Sequence, residues 1–182
     1  MTAYDGLFAD AAAVYGVPQD LLEALARTES GLRSGIRTWE AKAGEYSYGL
    51  FQILESTARG LGFDGDAGEL LDPALNTALA GQLARQLIDR LGSGFNLASF
   101  YSLYNSGRAE LWNTSNQVAA HVKNFLENFG DVVGVNVPEE YSIAESLELL
   151  AGRGADVVAD NSGLALAGLA GLGLIVLLAR RR

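Results

Sequence analysis

Apolar side chains between residues 5 and 129 recur at the three- and four-residue spacing of helices that bury one face. The spacing predicts helices over residues 5–15, 18–30, 55–62, 72–92, 96–106 and 115–129. Residues 31–48 carry no such pattern and are predicted to be irregular. Because no segment alternates convincingly with the two-residue period of a strand, the domain is predicted to be all-α.

Several helix ends are marked by residues suited to those positions. Asp72 precedes Pro73, and a capping side chain followed by proline at the first helical position is a strong start signal. Asn96 is predicted to cap the next helix, and Gly107 is predicted to end it.

Charge and composition exclude several kinds of chemistry. Residues 1–131 carry 16 acidic and 9 basic side chains, a net charge of −7, which argues against nucleic acid as a partner. The chain contains no cysteine, so it has neither disulfides nor a thiolate nucleophile. Its single histidine, His121, rules out a multi-histidine zinc site and is predicted to be a surface or packing residue.

The carboxyl-terminal part differs from the rest of the chain. Residues 132–162 are acidic, include a candidate amphipathic helix over 138–150, and are predicted to link the domain at 1–131 to a membrane anchor at 163–182. Gly163–Ala179 contains 17 consecutive residues without a polar side chain, followed by three arginines. As a helix it would extend roughly 25 Å, so it is predicted to span a lipid membrane.

Small residues recur along the predicted span. Gly163, Ala167 and Gly171 are spaced at intervals of four, which would let two such helices approach closely and self-associate. The alternative is an Ala- and Gly-rich span that forms no specific dimer.

The orientation of the predicted anchor suggests how the chain is used. The terminal arginines favour the cytoplasmic side, which would leave the domain outside. The amino terminus does not resemble a signal peptide, because Asp5 and Asp10 interrupt its apolar stretch. We therefore expect insertion from inside the cell into a membrane that becomes part of a virus particle, with a tail-anchored bacterial envelope protein as the alternative.

Glu29 is the strongest candidate for chemistry. It ends an apolar helix pattern, and burial disfavours the charged form of a carboxyl, so its pKa is expected to rise towards neutral pH. A lone helical glutamate is more often a solvated residue, as Glu23 is predicted to be. Two later segments change that balance: Tyr48-Gly49-Leu50-Phe51-Gln52 and Tyr104-Asn105-Ser106-Gly107.

The ordered motifs Glu29-Ser30-Gly31, Gly49-Leu50-Phe51-Gln52 and Tyr104-Asn105-Ser106-Gly107 resemble those of the soluble lytic transglycosylases, goose-type-lysozyme-like enzymes that cut peptidoglycan. The Asp72-Pro73-x-x-Asn76 helix start is also similar to this family, and the resemblance covers residues 7–115. It implies a helical, lysozyme-like fold and no metal or cofactor.

The resemblance also implies roles for individual residues. Glu29 would be the sole acid/base, Tyr104 would orient it, and Ser30 would support it. Phe51, in place of the family's usual methionine, would form an apolar wall. The implied substrate-binding residues are Ser30, Tyr48, Gly49, Gln52, Tyr104 and Asn105. Trp39 is predicted either to stack on a sugar or to pack its own loop.

The predicted function is cleavage of peptidoglycan between N-acetylmuramic acid and N-acetylglucosamine, giving 1,6-anhydro ends. The predicted location is the internal membrane of a phage or a bacterial envelope. One alternative is a hydrolytic lysozyme that uses Glu40, Glu45 or Glu55. Another is a non-catalytic glycan-binding or structural component of an envelope or capsid, and a third, ranked below them, is a holin-like pore.

Overall fold

The computed structural model describes residues 1–134, and this part of the chain forms six α-helices and one small antiparallel sheet. The helices are α1 (Asp5–Tyr15), α2 (Gln19–Ser30), α3 (Glu55–Gly60), α4 (Pro73–Leu91), α5 (Leu97–Ser106) and α6 (Asn116–Val133). The strands are β1 (Arg37–Glu40), β2 (Glu45–Tyr48) and β3 (Ile53–Leu54). Short 3-10 turns cover Ala67–Leu71, Gly92–Gly94 and Ala109–Asn113. The mostly helical arrangement predicted from the sequence is confirmed.

The predicted capping residues take the positions expected of them. The Asp72 side chain accepts a hydrogen bond from the backbone N–H of Leu75 at 2.8 Å, and Asn96 accepts one from Ser99 at 2.8 Å. Gly107 follows α5 in the left-handed conformation, with φ of 73°. These local contacts explain why the starts of α4 and α5 could be predicted closely.

The all-α prediction is wrong in one segment. Residues 31–48, predicted to be irregular, contain the β1–β2 hairpin, in which Trp39 pairs with Tyr46 and Thr38 with Ser47. Each strand is four residues long and largely polar, too short for a two-residue alternation to stand out. Strand β3 then pairs with β2, so the sheet has the order β1-β2-β3.

The last helix extends further than predicted. Gly130 was expected to lie beyond its end, but it is buried within α6, and the helix continues to Val133. Phe125, Phe129 and Val133 are all buried at four-residue spacing, so the apolar face runs through the glycine. Gly134, with φ of 73°, is the residue that ends the helix.

Within residues 1–134, none of the helices combines the length and the apolar character needed to cross a bilayer. The predicted linker at 132–162 lies almost wholly outside the described residues, and the predicted span at 163–179 lies entirely outside them. Both therefore stay predictions, as does the boundary of the domain at residue 131.

Helix α2 is packed against α1, α4 and α6, and α5 is packed against α6. The apolar residues of α2, among them Leu21, Leu22 and Leu25, are fully buried. The carboxyl end of α2, which carries Glu29, therefore emerges from the centre of the domain.

Asn76, near the start of α4, is a fully buried polar residue whose amide holds the segment that follows β2. Its Oδ1 accepts a hydrogen bond from the Phe51 N–H at 2.9 Å, and its Nδ2 donates to the Tyr48 and Leu70 carbonyls, both at 3.0 Å. Gly49 lies against this amide with φ of 75°, and a Cβ there would be 2.7 Å from Asn76 Cγ. A side chain at position 49 would thus displace the amide.

Replacement of Asn76 by alanine is expected to lower the free energy of unfolding by about 3 kcal/mol, because it removes three hydrogen bonds from a fully buried position. Urea unfolding followed by circular dichroism measures the change. The matched control is Asn124→Ala, at an exposed position on α6, which should change stability by less than about 0.5 kcal/mol. Equal unfolding midpoints for the two variants would contradict this role for Asn76.

Candidate active site

Glu29 lies in the last turn of α2, and its carboxyl is hydrogen-bonded to a tyrosine from α5. The Tyr101 hydroxyl donates to Glu29 Oε1 at 2.8 Å. Burial raises the pKa of Glu29 to about 7, the Tyr101 hydrogen bond opposes that rise, and the charge of Glu40 adds to it. The side chain can therefore hold or release a proton near neutral pH, as predicted from its position at the end of an apolar helix.

Tyr101 was not identified from the sequence. Its ring is only 2% exposed and is stacked on Phe125, with centroids 4.6 Å apart and planes at 5°. Burial, together with the neighbouring Glu29, raises the pKa of Tyr101 well above its ordinary value, so its hydroxyl keeps the proton that it donates. One signal was available, because Tyr101 precedes Tyr104 by one helical turn and so shares its face of α5.

Tyr104 was expected to orient Glu29, and the structure corrects this. Its hydroxyl donates to the backbone carbonyl of Phe51 at 2.7 Å, and its ring lies nearly parallel to that of Tyr101, with centroids 6.2 Å apart. Burial and the charge of Glu29 also raise the pKa of Tyr104. Tyr104 therefore connects the Gly49–Gln52 motif to α5 through this hydrogen bond, while Tyr101 is the tyrosine that contacts Glu29.

Gln52 has a left-handed backbone with φ of 46°, which is unfavourable for a residue with a side chain. Its Oε1 accepts hydrogen bonds from Thr38 Oγ1 at 2.6 Å and Ser47 Oγ at 3.0 Å. Its Nε2 donates to the carbonyls of Gly49 and Ile36, at 2.8 and 3.4 Å.

These four bonds use both lone pairs and both N–H groups of the Gln52 amide. In this arrangement the side chain joins the β1–β2 hairpin to the Gly49–Gln52 turn. The sugar contact that the resemblance implies for Gln52 would require one of these bonds to be exchanged.

Three predicted substrate-binding residues lie beneath the surface instead. Ser30 is 2% exposed, donates to the Ala26 carbonyl at 3.0 Å and accepts from the Arg33 N–H at 3.1 Å, so it supports the end of α2. Tyr48 is 7% exposed, and Gly49 is buried against Asn76. Their predicted contacts with substrate stay predictions; the contacts that these residues make are all within the domain.

Asn105 differs from these residues because it is exposed at the end of α5, one position after Tyr104.

Phe51, predicted to form an apolar wall for the substrate, is fully buried. Its ring meets that of Phe8 edge-on, with ring centroids 6.0 Å apart. That prediction is wrong, because the ring is part of the core and only the backbone of Phe51 belongs to the site.

Trp39 is 54% exposed and contacts the edge of Tyr46, with ring centroids 5.0 Å apart. Side chains alternate along a strand, so this pair lies on the face of the hairpin opposite to Thr38 and Ser47, which bond Gln52. Trp39 thus packs within its own hairpin, on the face away from Gln52.

The other carboxylates proposed for a hydrolytic reaction are engaged differently. Glu45 accepts hydrogen bonds from the backbone N–H and the hydroxyl of Ser56, and Glu55 pairs with Arg59 at 3.1 Å. Glu40 Oε1 lies 3.0 Å from Ser47 Oγ, whose one proton it shares with Gln52 Oε1, and Glu40 is the one of the three whose charge raises the pKa of Glu29. Within residues 1–134, no group of three His, Asp or Glu side chains is arranged to hold a metal ion, and His121 is exposed on α6.

Similarity to known proteins agrees with this geometry. The chain is 31% identical over 168 residues to the "Peptidoglycan transglycosylase gp16" of Escherichia phage T7, an alignment that covers 78% of this chain and 12% of that protein. The chain thus corresponds to a small part of that curated relative.

Two solved structures share the fold. The lytic transglycosylase Slt of Pseudomonas aeruginosa, solved as an inactive mutant, superposes with a TM-score of 0.58 at 19% identity, over 75% of this chain and 25% of that one. The 70 kDa soluble lytic transglycosylase of Escherichia coli gives 0.58 at 22% identity, over 74% and 25% of the two chains. The predicted lysozyme-like fold is confirmed by these superpositions.

Residues 6–125 match the family described as "Transglycosylase SLT domain". The match includes Glu29 and both later motifs, and it extends the predicted resemblance by ten residues on the carboxyl side, into the first half of α6. The chain therefore belongs to the transglycosylase SLT domain family, the lytic transglycosylases that the order of its three motifs predicted.

Proposed function

We propose that the chain cleaves the β-1,4 bond between N-acetylmuramic acid and N-acetylglucosamine in peptidoglycan and leaves a 1,6-anhydro-muramoyl end. The observation that carries the proposal is the half-buried Glu29, whose carboxyl is hydrogen-bonded to Tyr101 at 2.8 Å and has its pKa raised to about 7. A group of this pKa is populated in both protonation states near neutral pH, as an acid that later acts as a base requires.

In the first step, protonated Glu29 gives its proton to the glycosidic oxygen, and the bond from that oxygen to the anomeric carbon breaks. In the second, the Glu29 carboxylate takes the proton of the muramoyl 6-hydroxyl, whose oxygen forms a new bond to the same anomeric carbon. No water is consumed, and Glu29 ends as it began. Because the nucleophile belongs to the substrate, its effective concentration is high, and one carboxylate suffices where hydrolytic glycosidases use two.

The phage relative and the apolar residues at 163–179 indicate where this activity would be used. We propose that the chain serves a phage in penetrating the bacterial cell wall. Its 31% sequence identity to the phage T7 transglycosylase supports this role. The apolar run Gly163–Ala179 supports attachment to the internal membrane of a virion, and Gly163, Ala167 and Gly171 would allow self-association there.

Replacement of Glu29 by glutamine is expected to lower the rate of product release at least 100-fold, because an amide cannot donate or take the proton. The test is mass spectrometry of fragments released from purified peptidoglycan by the full chain. The wild type should release fragments lighter by one water than hydrolytic ones.

The matched control is Glu23→Gln, which removes a carboxylate from the same helix, where Glu23 is paired with Arg27 at 2.7 Å. This variant should retain activity. Hydrated reducing ends would identify a hydrolase instead. Glycan binding without cleavage by the wild type would favour the alternative of a non-catalytic glycan-binding component.

The rate of cleavage is expected to fall as the pH rises through about 7, because the first step needs the protonated form of Glu29. The pH profile of fragment release measures this fall.

The free energy of unfolding should also depend on the protonation of Glu29. Burial raises the pKa of Glu29 above its unfolded value of 4.5, so its stabilising effect is full below pH 4.5 and is lost as the pH rises through about 7.

Urea unfolding across this pH range measures the effect on stability, with Glu29→Gln as the control that lacks the titrating carboxyl. The free energy of unfolding of the wild type, relative to this variant, should decline between pH 4.5 and about 7. A constant difference would show that Glu29 titrates as an ordinary solvated carboxyl.

Replacement of Tyr101 by phenylalanine is expected to reduce the rate about tenfold, because it removes a hydrogen bond to a charged group. It should also move the alkaline limb of the pH profile upwards, since the Tyr101 hydroxyl opposes the rise in the pKa of Glu29. Tyr15→Phe, on α1, is the control. A loss of rate with an unchanged profile would indicate that Tyr101 acts through packing alone.

A further inference from the structure

The face of the β1–β2 hairpin that points away from Gln52 carries a pair of aromatic side chains in contact with solvent. Trp39 is 54% exposed and Tyr46 is 38% exposed, and their ring centroids are 5.0 Å apart. Within residues 1–134 the other large apolar side chains with such exposure, Met1 and Val14, lie near the amino end. Two adjacent rings left in solvent form a candidate binding surface.

A cation completes this face of the hairpin. Side chains alternate along β1, so Arg37 shares the face of Trp39, and its guanidinium carbon lies 5.1 Å from the centre of the Tyr46 ring. Within residues 1–134 Arg37 has no carboxylate as an ion-pair partner. A guanidinium donates hydrogen bonds in its own plane, so one that lies over a ring still has donors for an anion. Arg37, Trp39 and Tyr46 together form the outer hairpin face.

The other charged side chains of the hairpin are engaged elsewhere. Glu40 and Glu45 pair with each other on the opposite face, and Glu45 accepts two hydrogen bonds from Ser56. Lys42, in the turn between the strands, donates to Gln117 of α6 at 3.3 Å. The outer hairpin face therefore presents aromatic surface and one positive charge, with no carboxylate from either strand.

The outer hairpin face is fixed to the core at its base. Tyr48, two positions after Tyr46 on the same face of β2, is 7% exposed, and the two ring centroids are 6.3 Å apart. The Tyr48 carbonyl accepts the hydrogen bond from the buried Asn76 amide. Aromatic side chains held in this way lose little conformational entropy when a ligand binds.

We propose that the outer hairpin face is a second glycan-binding site, at which Trp39 packs on a sugar of an uncut peptidoglycan strand and Arg37 binds a carboxylate of an attached peptide. The inference rests on the proposed function, since a polymeric substrate extends beyond the bond that Glu29 would cleave. The C–H face of a sugar ring is apolar and is removed from water when it packs on an aromatic ring. A carboxylate can accept two parallel hydrogen bonds from one guanidinium.

Two other occupants fit this surface less well. A second copy of the chain would have to bury about 800 Å² on each partner to form a stable dimer. The exposed parts of Trp39 and Tyr46 amount to only roughly 200 Å². An anionic lipid surface would be repelled by the domain, because residues 1–131 carry a net charge of −7.

The first test is NMR of the full chain carrying Glu29→Gln, with soluble, uncross-linked peptidoglycan strands as the probe. The chain has two tryptophans, Trp39 and Trp112, so nitrogen-15 labelling gives two indole N–H signals. The Trp39 signal, assigned by its loss in Trp39→Phe, should shift as the strands are added. Because the outer hairpin face is intact in this experiment, the result does not depend on whether a variant of that face folds.

The second test compares the affinities of variants for the same strands by calorimetry, again in the Glu29→Gln background. Trp39→Ala should weaken binding about tenfold, and Trp39→Phe, which keeps an aromatic ring, should recover part of the loss. The matched control is Val14→Ala, which removes an exposed apolar side chain from α1 and should leave the affinity unchanged.

The role of Arg37 is tested by the charge of the ligand. Arg37→Gln should weaken binding of the strands about threefold at low salt. It should leave unchanged the binding of chitotetraose, an uncharged chain of N-acetylglucosamine, to Trp39. Arg59→Gln is the matched control, because the Arg59 guanidinium also lies over a ring, that of Phe63 at 4.9 Å, but is paired with Glu55.

An unshifted Trp39 signal would overturn the inference, and so would equal affinities of Trp39→Ala and Val14→Ala for the strands. A Trp39 signal that responds to vesicles of anionic phospholipid and not to the strands would overturn it in favour of a membrane contact. Binding needs no turnover, so the two proposals can fail separately. Binding through Trp39 by a wild-type chain that releases no fragments would sustain the second site and overturn the proposed function, and fragment release with an unshifted Trp39 signal would do the reverse.

Discussion

The three hydrogen bonds of the buried Asn76 amide are the constraint on which the rest of the site depends. They hold the Tyr48 carbonyl and the Phe51 N–H, and they leave room only for glycine at position 49. With Phe51 held, its carbonyl can accept the Tyr104 hydroxyl, which lies beside Tyr101 and hence beside the bond to Glu29. One side chain on α4 thereby governs two segments that lie far from it in sequence.

Two opposing effects meet at Glu29. Burial disfavours its carboxylate, while the Tyr101 hydroxyl stabilises that same charged form, and the balance leaves the pKa of Glu29 near 7. Burial without this hydrogen bond would raise the pKa of Glu29 further, and the hydrogen bond without burial would lower it below its ordinary value. The position of Glu29 at the end of a buried helix provides both, because the helix supplies the apolar surroundings and α5 supplies the hydroxyl.

Much of the fold was predictable because helix signals are local. The caps at Asp72 and Asn96 each involve atoms three residues apart, so the sequence contains the whole interaction. The hairpin depends on contacts between short polar strands and on the Gln52 amide, which no local pattern reveals. Likewise, the motifs identified the segments of the site but not the bonding within them. Tyr104 and Ser30 belong to motifs because they build the site, while Tyr101, which touches the acid, lies outside the quoted motif.

The stack of Tyr101 on Phe125 bears on the speed of the proposed reaction. A hydroxyl on a flexible side chain would have to find its orientation each time the charge on Glu29 changes. In this domain the ring is already immobilised by a parallel aromatic neighbour 4.6 Å away. In the proposed reaction, the ring that carries the Tyr101 hydroxyl would therefore already be in place when the charge on Glu29 changes, so the dipole that stabilises the carboxylate would be preorganised by folding.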